Sequence, residues 1–249
     1  MSAGAAQARW ALLAGNFVIG CGVMVVAGTL NDLARALAVS VALAGQLIAI
    51  GAVVMGIGAP LLASWVAGFD RRRLLALTLA WYAAGHALSA LMPDYAALAV
   101  VRALCMLGAA VFTPQAAAAI GHMAPPEQRG RAITFVFLGW SLASVLGMPI
   151  AAWIGETFGW RAAFATVAVL GAAAALWVHA AMPDGVKPPA LSRAAWREAV
   201  TQPALMAIVA VTALQSAGQF TLFSYFAPYY RQALAATPAQ ISALFFWFG

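Results

Sequence analysis

The chain has 249 residues, 65% of them hydrophobic and 8% charged, with a formal net charge of +6 that is carried almost entirely by arginine. A water-facing domain holds about 45–50% apolar and about 25% charged residues, so this composition excludes an ordinary soluble body and makes hydrocarbon the main solvent. The apolar runs are long and rich in Ala, Leu and Gly, which excludes the short alternating segments of a membrane barrel and leaves the helix as the spanning element.

A spanning helix needs about 20 mostly apolar residues. Seven such runs are predicted, at 10–30, 41–66, 74–92, 97–121, 132–154, 162–181 and 204–226, with an eighth starting at Pro238. The first follows Arg9 and is too long for the apolar part of a signal peptide. The connectors between the runs are polar, and the longest, 182–203, is Pro-rich with an amphipathic "SRAAWREAV". It reads as a linker on the membrane surface, which divides the chain into a six-helix unit (1–181), a cytoplasmic linker (182–203) and the beginning of a second bundle (204–249). The spacing Thr237-Pro238-Ala239-Gln240 predicts a capped helix start. The chain ends inside an apolar run, "SALFFWFG", where a terminal carboxylate is costly, so a continuation is expected.

Basic residues alternate between the two sides. Arg9, Arg71, Arg72, Arg73, Arg129, Arg131, Lys187, Arg193 and Arg197 fall on one side, and Arg35, Arg161 and Arg231 on the other. The excess of Lys and Arg assigns the first side, with the N-terminus, to the cytoplasm. The basic loops lack interleaved stacking aromatics, so no nucleic-acid partner is expected. Cys21 and Cys105 lie inside apolar runs and form neither a disulfide framework nor a zinc spacing. The sequence has no H-E-x-x-H, no G-x-S-x-G and no cluster of His with carboxylates, so neither enzyme activity, nor a metal, nor a cofactor is expected.

Four stretches resemble the major facilitator superfamily, in particular its bacterial drug- and sugar-efflux branch. "GIGAPLLASWVAGFDRRR" resembles the family's loop between the second and third helices, with Gly58, Pro60 and Arg71, Arg72 and Arg73 in place. Ala67 stands where the family has Asp, and Asp70 stands three residues later. The resemblance implies a conformational latch at Gly58, Asp70 and Arg71–Arg73; the other reading of the arginines is orientation alone. "VVRALCMLGAA" resembles the fourth-helix pattern through Arg102 and Gly108, with Cys105 and Met106 replacing the usual Gln and Gly. Arg102 then faces an internal cavity and couples protons or substrate, or else snorkels to the nearby helix end. "GWSLASVLGMPIAAWIG" resembles the exporter pattern of the fifth helix through Gly147 and Pro149, with Ser144, Gly147 and Ala151 as small packing residues and Pro149 as the bend. "PPEQRGRA" and "GWRAAF" are similar to loops at the two ends of that helix.

The resemblance implies an all-α membrane protein of the major facilitator fold, with a cavity lined by the first, fourth, seventh and tenth helices. Polar groups within those helices are the candidates for substrate or proton coupling: Asn16, Arg102, Thr113, Gln215 and Gln219. Arg102 and Thr113 are eleven residues apart, within about 20° on one helix face. Gln215 and Gln219 are one turn apart and both donate and accept. Asp32 reads as a cap at the outer end of the first helix, His86 as a packing residue of a peripheral third helix, and His122 and His179 as helix-end residues. The expected function is export of a small sugar- or drug-like solute in exchange for protons, by a monomer in the bacterial inner membrane. Uptake by proton symport is the alternative within transport, and a membrane sensor or enzyme is the alternative of another class.

Overall fold

The computed structural model describes residues 3–189, 193–223 and 225–248. Among these, the regular elements are all helical. They are α1 (Ala3–Gly28), α2 (Leu30–Ala36), α3 (Val41–Trp65), α4 (Arg71–Leu91), α5 (Tyr95–Met123), α6 (Arg129–Leu142), α7 (Met148–Phe158), α8 (Trp160–Ala181), α9 (Arg193–Thr201), α10 (Pro203–Phe223), α11 (Phe226–Leu234) and α12 (Pro238–Phe248). Seven helical stretches are long and apolar enough to cross a bilayer.

Side-chain caps set several of the starts. Ser40 accepts from the Leu43 amide, Asp70 from those of Arg72 and Arg73, and Asp94 from that of Ala97. Each satisfies a donor that the helix itself leaves free. The start predicted at Thr237 is present: the Gln240 amide donates to Thr237 Oγ1, and Gln240 Oε1 accepts from the Thr237 amide at 2.8 Å. Gly159, with φ at +85°, makes the turn from α7 to α8.

Four connectors or breaks differ from expectation. The "NDLARALAVS" connector contains α2, whose Leu30, Leu33 and Ala34 are buried while Asp32 and Arg35 pair one turn apart. The fifth span does not stop at 154 but continues through α7 to Phe158, carrying Glu156. Beyond α10 the chain is helical again in α11, so "APYYRQALAATPAQ" is helical as far as Leu234. In each case a polar or aromatic segment at the edge of a bilayer folds as an amphipathic turn of helix, because its apolar side has a neighbour to cover. The irregularity of the fifth span is a π-turn at Ala143–Gly147, where the Met148 amide reaches back to the Ala143 carbonyl. Pro149 follows it and has no amide to continue the ordinary ladder.

α1 is the most enclosed helix, packed against α6, α7 and α8 with α3 and α5 alongside. Gly139 brings α6 onto α1: a Cβ there would stand 2.7 Å from the Phe17 amide nitrogen and 3.0 Å from the Asn16 Cβ. Such small-residue seams let helix backbones approach where no hydrophobic force separates protein from lipid. α4 packs on α5 and α8, α3 packs on α5, and α12 packs along α7. α10 is exposed along nearly its whole length. The expected linker, 182–203, includes residues 190–192, which lie outside the described residues; α9 within it is helical, as its amphipathic pattern predicts.

Candidate functional site

A polar seam runs between α1 and α5 through the enclosed centre of the bundle. At one level Asn16 is fully buried and joins three helices: its Nδ2 donates to the Val136 carbonyl of α6 at 3.2 Å, and its Oδ1 accepts from Thr113 Oγ1 of α5 at 3.0 Å. About a turn further along α1, the Tyr82 hydroxyl of α4 donates to the Ile19 carbonyl at 2.9 Å.

Next comes Arg102, only 1% exposed, so its guanidinium does not snorkel to the helix end. Nη1 donates to the Gly22 carbonyl at 2.8 Å and Nη2 to the Val23 carbonyl at 3.2 Å. Each of these carbonyls already serves its own helix and lends its second lone pair. Among the described residues no carboxylate pairs with Arg102, and its Nε is buried without a partner. A buried cation with no carboxylate partner among the described residues is an unbalanced charge, which is costly to keep. His86 is fully buried and stands beside it, with Nε2 3.4 Å from Nη1 and Nδ1 3.0 Å from the Tyr82 carbonyl. The expectation of a packing residue on a peripheral helix therefore understates His86, which faces the centre.

The loop of the three arginines is built inside the first bundle. Asp70 caps α4 and its Oδ2 accepts from the Gly185 amide at 2.7 Å. The Arg71 guanidinium is turned inward onto the carbonyls of Val66 and Phe69, the latter at 2.7 Å. Arg72 donates to the His179 carbonyl at 2.6 Å and pairs with Asp184 at 2.6 Å. Gly58 packs α3 on α5, where a Cβ would lie 3.3 Å from Ala110. Asp70, Arg71 and Arg72 thus bind the start of α4 to the end of α8, and the Arg73 amide lies 3.4 Å from Asp70 Oδ1.

At the opposite end, Glu156 of α7 pairs with Arg231 of α11, linking the two parts of the chain. A cavity of about 230 Å³ opens beside this pair, lined by Asp32 and Arg35 of α2 and by Ala227 and Ile241. In the fifth span, Ser144 donates to the Trp140 carbonyl and lies 3.7 Å from the Met24 sulfur, and a Cβ at Gly147 would stand 2.5 Å from Cys21 Sγ. Pro149 is half-buried beyond them. Gln215 and Gln219 are both exposed on α10 and are not brought to Asn16, Arg102 or Thr113.

Sequence reasoning missed Glu156, Arg231, Tyr82 and the orientation of His86. The carboxylate lay just past the predicted helix end, in "GETF", and extending that helix by a turn would have found it. Nothing in the spacing of His86 and Arg102, sixteen residues apart on different helices, signals their meeting.

A helical chain threaded repeatedly through apolar solvent, with a buried polar seam and charged loops at both ends, defines a polytopic membrane protein of transporter architecture. Residues 12–249 match the Major Facilitator Superfamily, and the chain belongs to that family. It is 31% identical over 237 residues to the inner membrane transport protein YdhP of Escherichia coli (strain K12), covering 94% of this chain and 60% of that protein. It is 33% identical over 200 residues to the chloramphenicol efflux pump Rv0191 of Mycobacterium tuberculosis (strain ATCC 25618 / H37Rv), covering 80% of this chain and 48% of the pump. Among solved structures, a bacterial homologue of the human lysosomal transporter Spinster superposes with a TM-score of 0.77 at 19% identity, over 100% of this chain and 59% of that one. The chain therefore spans 60% or less of the length of these relatives.

Proposed function

We propose that the protein exports a small organic solute, drug- or sugar-like, in exchange for protons. The N-terminus and the 182–203 linker lie in the cytoplasm in this reading, with α9 on the inner membrane surface and the Glu156–Arg231 end facing outward. The excess of basic residues at the α4-start end supports that orientation. The six helical spans of 1–181 act as one rocking unit and the helices from 204 onward begin the other.

The observation that carries the reading is the placement of the ion pairs. Of the three among the described residues, only Glu156–Arg231 joins the first unit to the second, and it does so at one end. The charged loop at the other end, with Arg72–Asp184, is satisfied within the first unit. One end is held across the two units, and alternating access needs contacts between the units that are made at one end and broken at the other. The chloramphenicol efflux relative supports a drug-like solute and the outward direction.

Transport of radiolabelled chloramphenicol into everted membrane vesicles, driven by an inside-acid pH gradient, tests this reading. Accumulation that nigericin abolishes is the expected result. Accumulation in right-side-out vesicles under an inside-alkaline gradient instead would establish uptake by symport, and no gradient-driven movement of this drug or of a panel of sugars and antibiotics would sink the reading.

A further inference from the structure

We propose that His86 is a proton-binding site that competes with Arg102 for the carbonyl of Gly22. The inference deepens the proton-antiport reading by giving the proton a residue, and it rests on that reading for its role in transport but not for its chemistry.

In this proposal the resting His86 is neutral, with its proton on Nδ1. A guanidinium only donates, so the Nε2 that faces Arg102 Nη1 at 3.4 Å presents a lone pair. The ring proton therefore sits on Nδ1, where the Tyr82 carbonyl accepts it at 3.0 Å. Cys105 Sγ, 3.2 Å from the same nitrogen, lies alongside.

Nε2 also lies 3.4 Å from the Gly22 carbonyl, the same oxygen that Arg102 Nη1 holds at 2.8 Å. When His86 gains a proton, Nε2 becomes a donor, and its nearest available acceptor is that oxygen. An imidazolium and a guanidinium at this separation repel in a site with no carboxylate to divide between them. With a proton on Nε2, the new N–H turns to the Gly22 carbonyl and Arg102 leaves that oxygen. Arg102 at Gly22 and a proton on His86 are mutually exclusive, which is the linkage an exchanger needs between proton occupancy and a movable charge. Gly22 allows the three groups to converge, since a Cβ there would stand 2.6 Å from His86 Nε2.

Every element packed on His86 is accounted for. Tyr82 faces it from its own helix, and Arg102 and Cys105 from α5. α1 supplies the Gly22 carbonyl, with Cys21 toward Tyr82, and α8 supplies the Phe164 ring, 5.8 Å away between centroids. None of these is a carboxylate that would hold an imidazolium and Arg102 together.

Nitrogen NMR of the chain in nanodiscs, with isotope-labelled histidine and arginine, tests the proposal from about pH 8 to about pH 4. The H122Q/H179Q double variant changes only helix-end residues and leaves His86 as the single imidazole. The expected spectrum shows the Nδ1–H tautomer at high pH, then protonation of Nε2, with one arginine guanidinium resonance moving at the same midpoint. In R102Q, the arginine resonance that moves with His86 should be missing, which assigns it to Arg102. An Nε2–H tautomer, a ring that stays neutral throughout, or a titration that no arginine resonance follows would each overturn the proposal, and the last two are read on arginine-intact protein even if R102Q does not fold. Failure of the vesicle experiment would remove the antiport reading while leaving these spectra as expected.

Discussion

Asp70 and Gly185 are joined across 115 residues of sequence by a 2.7 Å hydrogen bond from the Gly185 amide to Asp70 Oδ2. The other carboxylate oxygen accepts from the Arg72 amide at 3.0 Å, so one side chain both starts α4 and anchors the segment that leaves α8. The Arg71 amide reinforces the same junction by donating to the Val186 carbonyl at 3.0 Å. The acidic residue stands three positions later than the family pattern expects, and the displacement places it where a helix cap is needed.

Replacing Asp70 separates these two tasks. D70N keeps a cap oxygen but turns an amide toward Gly185, whereas D70A loses both contacts. A lost cap costs about 1 kcal/mol and a lost hydrogen bond to a charged group about 1.5–3 kcal/mol. Thermal unfolding in detergent should therefore rank wild type above D70N above D70A. Equal melting of D70N and wild type would show that the Gly185 contact contributes nothing.

Asn16 and Thr113 were both read from sequence as candidates to meet a solute, and the structure joins them to each other. An Asn whose amide is spent on Val136 and whose carbonyl is spent on Thr113 ties α1, α5 and α6 together. Hydrogen bonds between membrane helices average about 0.6 kcal/mol. The double-mutant cycle of N16A and T113V should give a coupling of about that size, read from unfolding in a denaturing detergent titration. A coupling indistinguishable from zero would leave both side chains free to serve a solute.

The spans were legible because hydrocarbon imposes one requirement, a long apolar run, and that requirement is visible residue by residue. The faces of the spans were not. In lipid both the outside and the inside of a bundle are apolar, so no stripe told that His86 looks inward or that Gln215 stands exposed on α10. Arg102 was conspicuous because charge is rare in a span, but its partners are backbone carbonyls, which every residue carries and no sequence pattern marks. The helix edges failed for a related reason: Glu156 and Arg35 are polar enough to read as loop, yet each finds a charged partner and stays helical.

The Glu156–Arg231 pair predicts how its end of the bundle opens. Reversing either charge sets like charges against each other beside the cavity, so E156R and R231E should each open that end. Ala227 lines the cavity and is 5% exposed, which makes A227C a reporter. Labelling of A227C by a membrane-impermeant maleimide should rise several-fold in each single reversal and return toward the starting rate in the double reversal. A double reversal as open as the singles would mean that the pair does not hold the two units together.

Arg102 predicts a separation of stability from coupling. Breaking a buried ion pair usually strands the other charge, but Arg102 has no carboxylate partner among the described residues, so its removal strands none. Even a whole buried ion pair replaced by apolar side chains of similar volume is often neutral or stabilising by about 1–4 kcal/mol, and a lone buried cation has no Coulombic partner to lose. R102M should therefore insert and melt at or above the wild-type temperature, with Gly22 and Val23 keeping their own helical hydrogen bonds. Its gradient-driven transport should nonetheless be lost, because no cation remains to move when the proton binds. An R102M protein that melts well below wild type would identify Arg102 as a structural tie, and one that transports at the wild-type rate would remove it from the coupling path.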